Sequence, residues 1–239
     1  MSETSVKLQD LDFNGDGETL FVDKPLDWSS FDVVRYLKKR YDIRKIGHAG
    51  TLDPNATGLL IICTGRKTKA LQSYVGLEKE YTGVMELGVR TDTFDSEGVV
   101  VERKTLDDVT DQRIRDVQSL FIGRQLQVPP MFSAAKFKGK PLYKLARRGR
   151  TVEREAREIE IAEFEILDIS LPMITFRVVC SKGTYIRALV EDFGITLGCG
   201  ATLRELRRTR IGTYHVSKAV SIAGVRGDPE AMLEGIERQ

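Results

Sequence analysis

Apolar positions along this chain switch between extended and helical spacing, and each change of period marks an element. Thr19-Leu-Phe-Val-Asp reads as a short strand that stops at Lys24-Pro25, because proline cannot continue a ladder. Val33, Val34, Leu37 and Tyr41 then recur at helical spacing behind Ser29 or Ser30, either of which can cap a helix. A glycine-rich loop over 47–58 leads into a continuous apolar run, Gly58 to Cys63, as expected of a strand covered on both faces. Residues 67–74 suit a helix, and Tyr81 opens a strand that reaches about Leu87.

The second half repeats this vocabulary in a different order. Thr110 can cap a helix over 110–121 that turns Ile114, Val117, Leu120 and Phe121 inward. Pro129-Pro130 breaks regular structure, and Pro141 suits the first position of a helix ending near Gly149. Ile159 and Ile161 alternate, then the phase shifts to Phe164 and Ile166, which one extra residue would produce; a β-bulge is expected near Ala162-Glu163. Ile174, Phe176, Val178 and Cys180 alternate as a strand, and Tyr185, Leu189, Phe193 and Leu197 form a helical stripe. The succession is not a strict βαβ repeat. It fits an α+β fold, a mixed, mostly antiparallel central sheet flanked by helices and loops.

A chain of 239 residues suits one compact domain, expected over 18–217 with an insert at about 124–154. An acidic, flexible leader over 1–17 and a short tail over 218–239 complete the expected organisation. No apolar run approaches the ~20 residues that span a bilayer, and Met1-Ser-Glu-Thr lacks the basic and apolar regions of a secretory signal. A cytoplasmic location and no membrane contact follow as expectations. The three cysteines, Cys63, Cys180 and Cys199, are odd in number and far apart, which suits reduced structural thiols. Two histidines, His48 and His215, form no zinc spacing, so no protein-bound transition metal is expected.

The net charge of +2 is uninformative, but its distribution is not. Residues 136–157 hold Lys136, Lys138, Lys140, Lys144, Arg147, Arg148, Arg150, Arg154 and Arg157 against Glu153 and Glu155. The segment reads as a candidate phosphate-binding surface or as a solvated helix face. In the loop Gly47-His-Ala-Gly-Thr-Leu-Asp-Pro-Asn-Ala-Thr-Gly58, glycines bracket one carboxylate, Asp53. Glycine admits positive φ and close approach of a ligand, yet the run is no phosphate loop, and Asp53-Pro54 alone reads as a turn starter.

That loop, followed by Leu59-Leu60 and Gly65-Arg66-Lys67-Thr68-Lys69, closely resembles the signature of the TruB family of tRNA pseudouridine synthases. Asp23-Lys24-Pro25, Lys79-Glu80-Tyr81, Leu87-Gly88, Thr91-Asp92-Thr93, Cys180-Ser-Lys-Gly-Thr-Tyr-Ile-Arg187 and Leu206-Arg207-Arg208 match in the same order, over roughly residues 18–215. The resemblance implies a pseudouridine synthase fold and isomerisation of uridine 55 in the T loop by base flipping, without a cofactor. It implies Asp53 as the catalytic carboxylate, Arg187 as the cation that keeps it ionised, and Tyr81 and Tyr185 as the aromatic wall for the extruded base. His48 would contact RNA and Leu206 would line the uracil slot; Lys24 would support the loop electrostatically or be solvated. Lys144, Arg147 and Arg148 of the insert would clamp RNA.

The implied partner is the T stem-loop of tRNA, bound by a monomer that needs no protein partner. Two other readings use the same residues. A noncatalytic RNA chaperone would need the pocket but no paired carboxylate, and a guide-RNA-dependent synthase usually carries a further carboxy-terminal RNA-binding domain. Residues 218–239 are too few for the PUA domain that follows the catalytic domain in the better-known bacterial pattern.

Overall fold

The computed structural model describes residues 11–133 and 135–222; most of the expected leader and tail, 1–10 and 223–239, lies outside the described residues. In chain order the elements are β1 (Thr19–Lys24), α1 (Ser30–Arg40), β2 (Ile46–Ala49), β3 (Ala56–Thr64), a 3-10 turn (Gly65–Ala70), α2 (Leu71–Gly76) and β4 (Lys79–Leu87). There follow β5 (Val89–Thr91), β6 (Val100–Arg103), α3 (Asp111–Leu120), β7 (Gly123–Gln127), β8 (Lys136–Phe137), β9 (Lys140–Pro141) and α4 (Leu142–Ala146). The last are β10 (Arg157–Ser170), β11 (Met173–Cys180), α5 (Ile186–Leu197), β12 (Ala201–Ile211), β13 (Tyr214–His215) and β14 (Val220–Ser221). The expected domain divides into two compact units, one built from the chain up to Tyr81 and from Leu206 onward, the other from Thr82–Glu205.

In the first unit the strands run in the order β14-β1-β3-β12. β3 is antiparallel to β1 and β2 and parallel to β12, with Leu206 opposite Ala56 and Arg208 opposite Gly58. Its apolar run serves two cores. Leu60 and Ile62 face α1 with Leu20, Val22, Val33 and Leu37, while Leu59, Ile61 and Cys63 face Ala49 and Ile211. At roughly 25 cal/mol per Å², burial on both faces makes this strand the main hydrophobic investment of the unit. α1 starts where expected: the Ser29 hydroxyl accepts from the Asp32 amide, the Asp32 carboxylate accepts from the Ser29 amide, and Lys38, Lys39 and Arg40 complement the last turn.

Three expectations need correction in this unit. Leu11 and Phe13, assigned to a flexible leader, are buried in the core beside α1. The loop expected over 47–58 is shorter, because Ile46–Ala49 pairs with β3 as a strand and leaves only 50–55 irregular. The helix expected over 67–74 is a 3-10 turn followed by α2.

In the second unit β4, β11, β10 and β7 follow one another in the sheet. The phase shift in β10 is a bulge between Ile161 and Glu163, as expected, and a second register shift lies between Ile166 and Asp168. Phe121, Phe164, Phe176 and Phe193 pack edge to face or tilted, with centroids 5.9 Å apart, and form the aromatic centre of the unit. α5 ends at Gly198, whose φ of 99° closes the helix by donating to Gly194 and Ile195 carbonyls. Leu120, expected inside, is exposed; α3 buries Ile114 and turns Leu120 outward. The start of the expected insert, from about 124, falls in an edge strand, Gly123–Gln127, paired with β10. Pro141 does not begin the helix but ends the β8–β9 hairpin, and α4 stops at Ala146.

Candidate active site

The loop carrying Asp53 is fastened by its backbone. The Asp53 carbonyl accepts from the Ala56 amide at 3.1 Å, a turn with Pro54 in second position, so the turn-starter reading of Asp53-Pro54 is also correct. Ser30 Oγ accepts from the Leu52 amide at 2.8 Å and donates to the Leu52 carbonyl at 3.2 Å. The Pro54 carbonyl accepts from the Asp27 amide at 3.0 Å and from Lys24 Nζ at 3.3 Å. Arg208 Nη2 donates to the Gly50 carbonyl at 3.1 Å, and its Nε to the Leu59 carbonyl at 2.8 Å. These anchors come from β1, α1 and β12 and hold the loop at both ends and in the middle.

Two of the anchors are cations with almost no contact with solvent. Lys24 is 0% and Arg208 1% exposed, an arrangement that is costly unless each charge is paired or hydrogen bonded. Lys24 Nζ also donates to the Pro25 and Trp28 carbonyls at 2.9 and 2.5 Å. Burial pushes its pKa down to about 8, and the negative charge of Asp53 opposes that fall. Of the two readings for Lys24, the solvated one is therefore wrong. Gly58 shows why β12 can come so close: its φ is 105°, and a Cβ there would lie 2.2 Å from the Arg208 carbonyl oxygen.

His48 sits on β2 opposite Ile62, and burial followed by the charge of Arg208 holds its pKa below the usual imidazole value, which favours the neutral ring. Leu206 is half-buried next to Ala56, three residues beyond Asp53. Tyr81 is buried on β4. Lys24, His48, Asp53, Tyr81 and Leu206 all belong to the first unit.

The second unit holds Tyr185 and Arg187 at the start of α5. Gln127, at the end of β7, receives the Tyr185 amide on Oε1 at 2.8 Å and donates Nε2 to the Tyr185 carbonyl at 3.1 Å. Arg187 is buried, not the surface arginine that its place on a helix suggests. Its Nη2 donates to the Phe132 carbonyl at 2.6 Å, its Nη1 to that of Thr93 at 3.3 Å, and its Nε lies 3.7 Å from Asp95 Oδ2. Asp95 Oδ1 in turn accepts from Thr93 Oγ1 at 2.6 Å and from the Glu97 amide at 3.1 Å. A buried carboxylate thereby balances a buried guanidinium, and the loop over 91–97 is folded around the pair.

A family model described as TruB family pseudouridylate synthase, N terminal domain, matches residues 38–186, and the tRNA pseudouridylate synthase B C-terminal domain matches residues 187–230. The chain belongs to the TruB family. It is 46% identical over 215 residues to the tRNA pseudouridine synthase B of Chloroherpeton thalassium, covering 88% of this chain and 89% of that protein. The Burkholderia pseudomallei protein of the same name is 47% identical over 222 residues, covering 91% and 73%. Among solved structures, a chain of a Cbf5-Nop10-Gar1 complex superposes with a TM-score of 0.67 at 28% identity over 92% of this chain. A chain of an archaeal box H/ACA sRNP Nop10-Cbf5 complex gives 0.64 at 28% over 89%. The present chain spans only 59% and 54% of those two chains.

In this TruB chain the three insert residues singled out as a clamp, Lys144, Arg147 and Arg148, lie on and just after α4, all exposed. Leu142 anchors the short helix by its side chain, 3% exposed, and by its amide, which donates to the Ala135 carbonyl at 2.7 Å. Cys63, Cys180 and Cys199 are free and buried. Among the described residues no helix is long and apolar enough to cross a membrane, and no group of three or more His, Cys, Asp or Glu residues could hold a metal ion.

Proposed function

We propose that this protein isomerises uridine to pseudouridine in the T loop of tRNA, with Asp53 as the catalytic carboxylate. The reaction breaks the bond from C1′ to N1, turns the uracil, joins C5 to C1′, and releases the C5 hydrogen as a proton while N1 regains one. No electrons are gained or lost. A carboxylate held at the reacting ring is the one anionic group the chemistry demands, and a loop whose backbone is fixed at Gly50, Leu52 and Pro54 can hold it there without reorganisation. That fixed loop carries the reading; membership of the TruB family and the names of the relatives support it.

Arg187 is assigned to stabilise the ionised carboxylate, Tyr81 and Tyr185 to stack on the flipped base, Leu206 to line the uracil slot, and neutral His48 to hold the RNA loop. Lys24 acts through the backbone and its field. The protein is expected to act on tRNA as a monomer, in the cytoplasm. Incubation with tRNA or a T stem-loop carrying tritium at uracil C5 tests the activity: one label per RNA passes into water, and full retention of tritium refutes the isomerisation.

The insert is assigned to grip the T arm through Lys144, Arg147 and Arg148. Each phosphate contact contributes about 0.7 to 0.9 to the slope of log K against log salt. Replacing all three by glutamine is therefore expected to weaken binding at low salt and flatten that slope by about two, with turnover at saturating RNA little changed. Filter binding across a salt series reads this directly; an unchanged slope makes the segment a solvated face.

A further inference from the structure

A cavity of about 820 Å³ opens on the first unit beside α1 and shares no lining residue with the loop over 50–55. One wall is aromatic: Trp28 and Tyr36 meet edge to face with centroids 5.8 Å apart. Its rim is cationic, formed by Arg35, Lys39 and Arg40, all exposed. Two carboxylates also line it. Asp32 is committed to Ser29 and Arg35, which hold its pKa low, whereas Asp27 is exposed. The cations continue past the cavity, since residues 35–45 contain Arg35, Lys38, Lys39, Arg40, Arg44 and Lys45 against Asp42 alone.

We propose that this cavity is a second RNA site, which takes an unpaired nucleotide of the substrate tRNA with its base against Trp28 and Tyr36 and its phosphates on Arg35, Lys39 and Arg40. Aromatic faces combined with a cationic track are what single-stranded nucleic acid requires, because any base can stack and every linkage is anionic. A cavity of this volume has room for one nucleotide. A duplex offers no free base face, so the pairing of wall and rim selects unpaired RNA over paired. Continuity with the Asp53 loop identifies the RNA. The Trp28 carbonyl and the Pro54 carbonyl are bridged by one ammonium, that of Lys24, and the Asp27 amide donates to Pro54. An RNA whose target base lies on that loop therefore runs close to the cavity mouth.

The inference rests on the proposed tRNA substrate, and its test reads binding without turnover, so that either can fail alone. Trp28 is the single tryptophan of the chain, and its emission reports this cavity in the unmodified protein. Titration with unlabelled tRNA should quench that emission with a midpoint equal to the dissociation constant measured by filter binding. A fully paired RNA duplex should leave the emission unchanged. Changing Arg35, Lys39 and Arg40 together to glutamine should raise the dissociation constant for tRNA and flatten the salt slope by about two, at about 0.7 per single-strand phosphate. Thermal melting confirms that this exposed triple variant is folded. Saturation of the wild type with tRNA at constant Trp28 emission overturns the proposal, as does equal quenching by the duplex or an unchanged salt slope in the folded triple variant.

Discussion

Asp53→Asn is expected to leave the fold and the affinity for tRNA near wild type and to lower turnover on the order of 10⁴-fold or more. Asparagine keeps the size of the side chain and the turn to Ala56, and the loop is fastened by Lys24, Ser30 and Arg208 through backbone groups that the substitution does not touch. What it removes is the negative charge, and an amide can neither attack the sugar or base nor stabilise a cationic sugar. Single-turnover tritium release with enzyme in excess separates this loss from any change in binding. Turnover within about tenfold of wild type would remove Asp53 from the chemistry.

Arg187→Met should be the most damaging change in the second unit, for stability as well as activity. It strands the Asp95 carboxylate, about 4% exposed, without its cation, and leaves the Thr93 and Phe132 carbonyls without their donor. Removing one partner of a buried ion pair costs about 3 to 5 kcal/mol, which for a chain of this size lowers the melting temperature by roughly 10 °C. Arg187→Lys restores the charge but cannot reach Asp95 and two carbonyls at once, so it should recover part of the melting temperature and little of the turnover. Calorimetry beside tritium release reads both effects. A melting temperature within about 2 °C of wild type in Arg187→Met would show that the Asp95 pair is not a structural element.

Periodicity made α1, β3, the bulge at Ala162-Glu163 and α5 legible in advance, because each depends on local spacing or a local cap. It failed where tertiary contacts decide. Gly47-His48-Ala49 has no strand pattern of its own and is extended because β3 lies beside it. Leu120 fits a helical stripe, yet the face of α3 used for packing is narrower than that stripe. At the site the reactive types were visible in motifs, but their supports were not. Ser30, Gln127 and Asp95 are ordinary polar residues until the fold brings their distant partners to them. Arg208 lies in a strand that also carries Arg204, Arg207 and Arg210, each paired with a carboxylate, so spacing alone does not mark it as the arginine buried on carbonyls.

Arg208 also sets an order of events in the life of the chain. It joins Gly50 across 158 positions of sequence and Leu59 across 149, so the Asp53 loop gains its last anchor only after β12 has been synthesised and has slid in beside β3. Contacts of such long range form late, because closure of the intervening chain costs entropy before any burial repays it. A ribosome-bound chain can have α1, β1 and β3 already assembled while its carboxylate loop is still unfastened, which keeps competence for the reaction tied to completion of the protein.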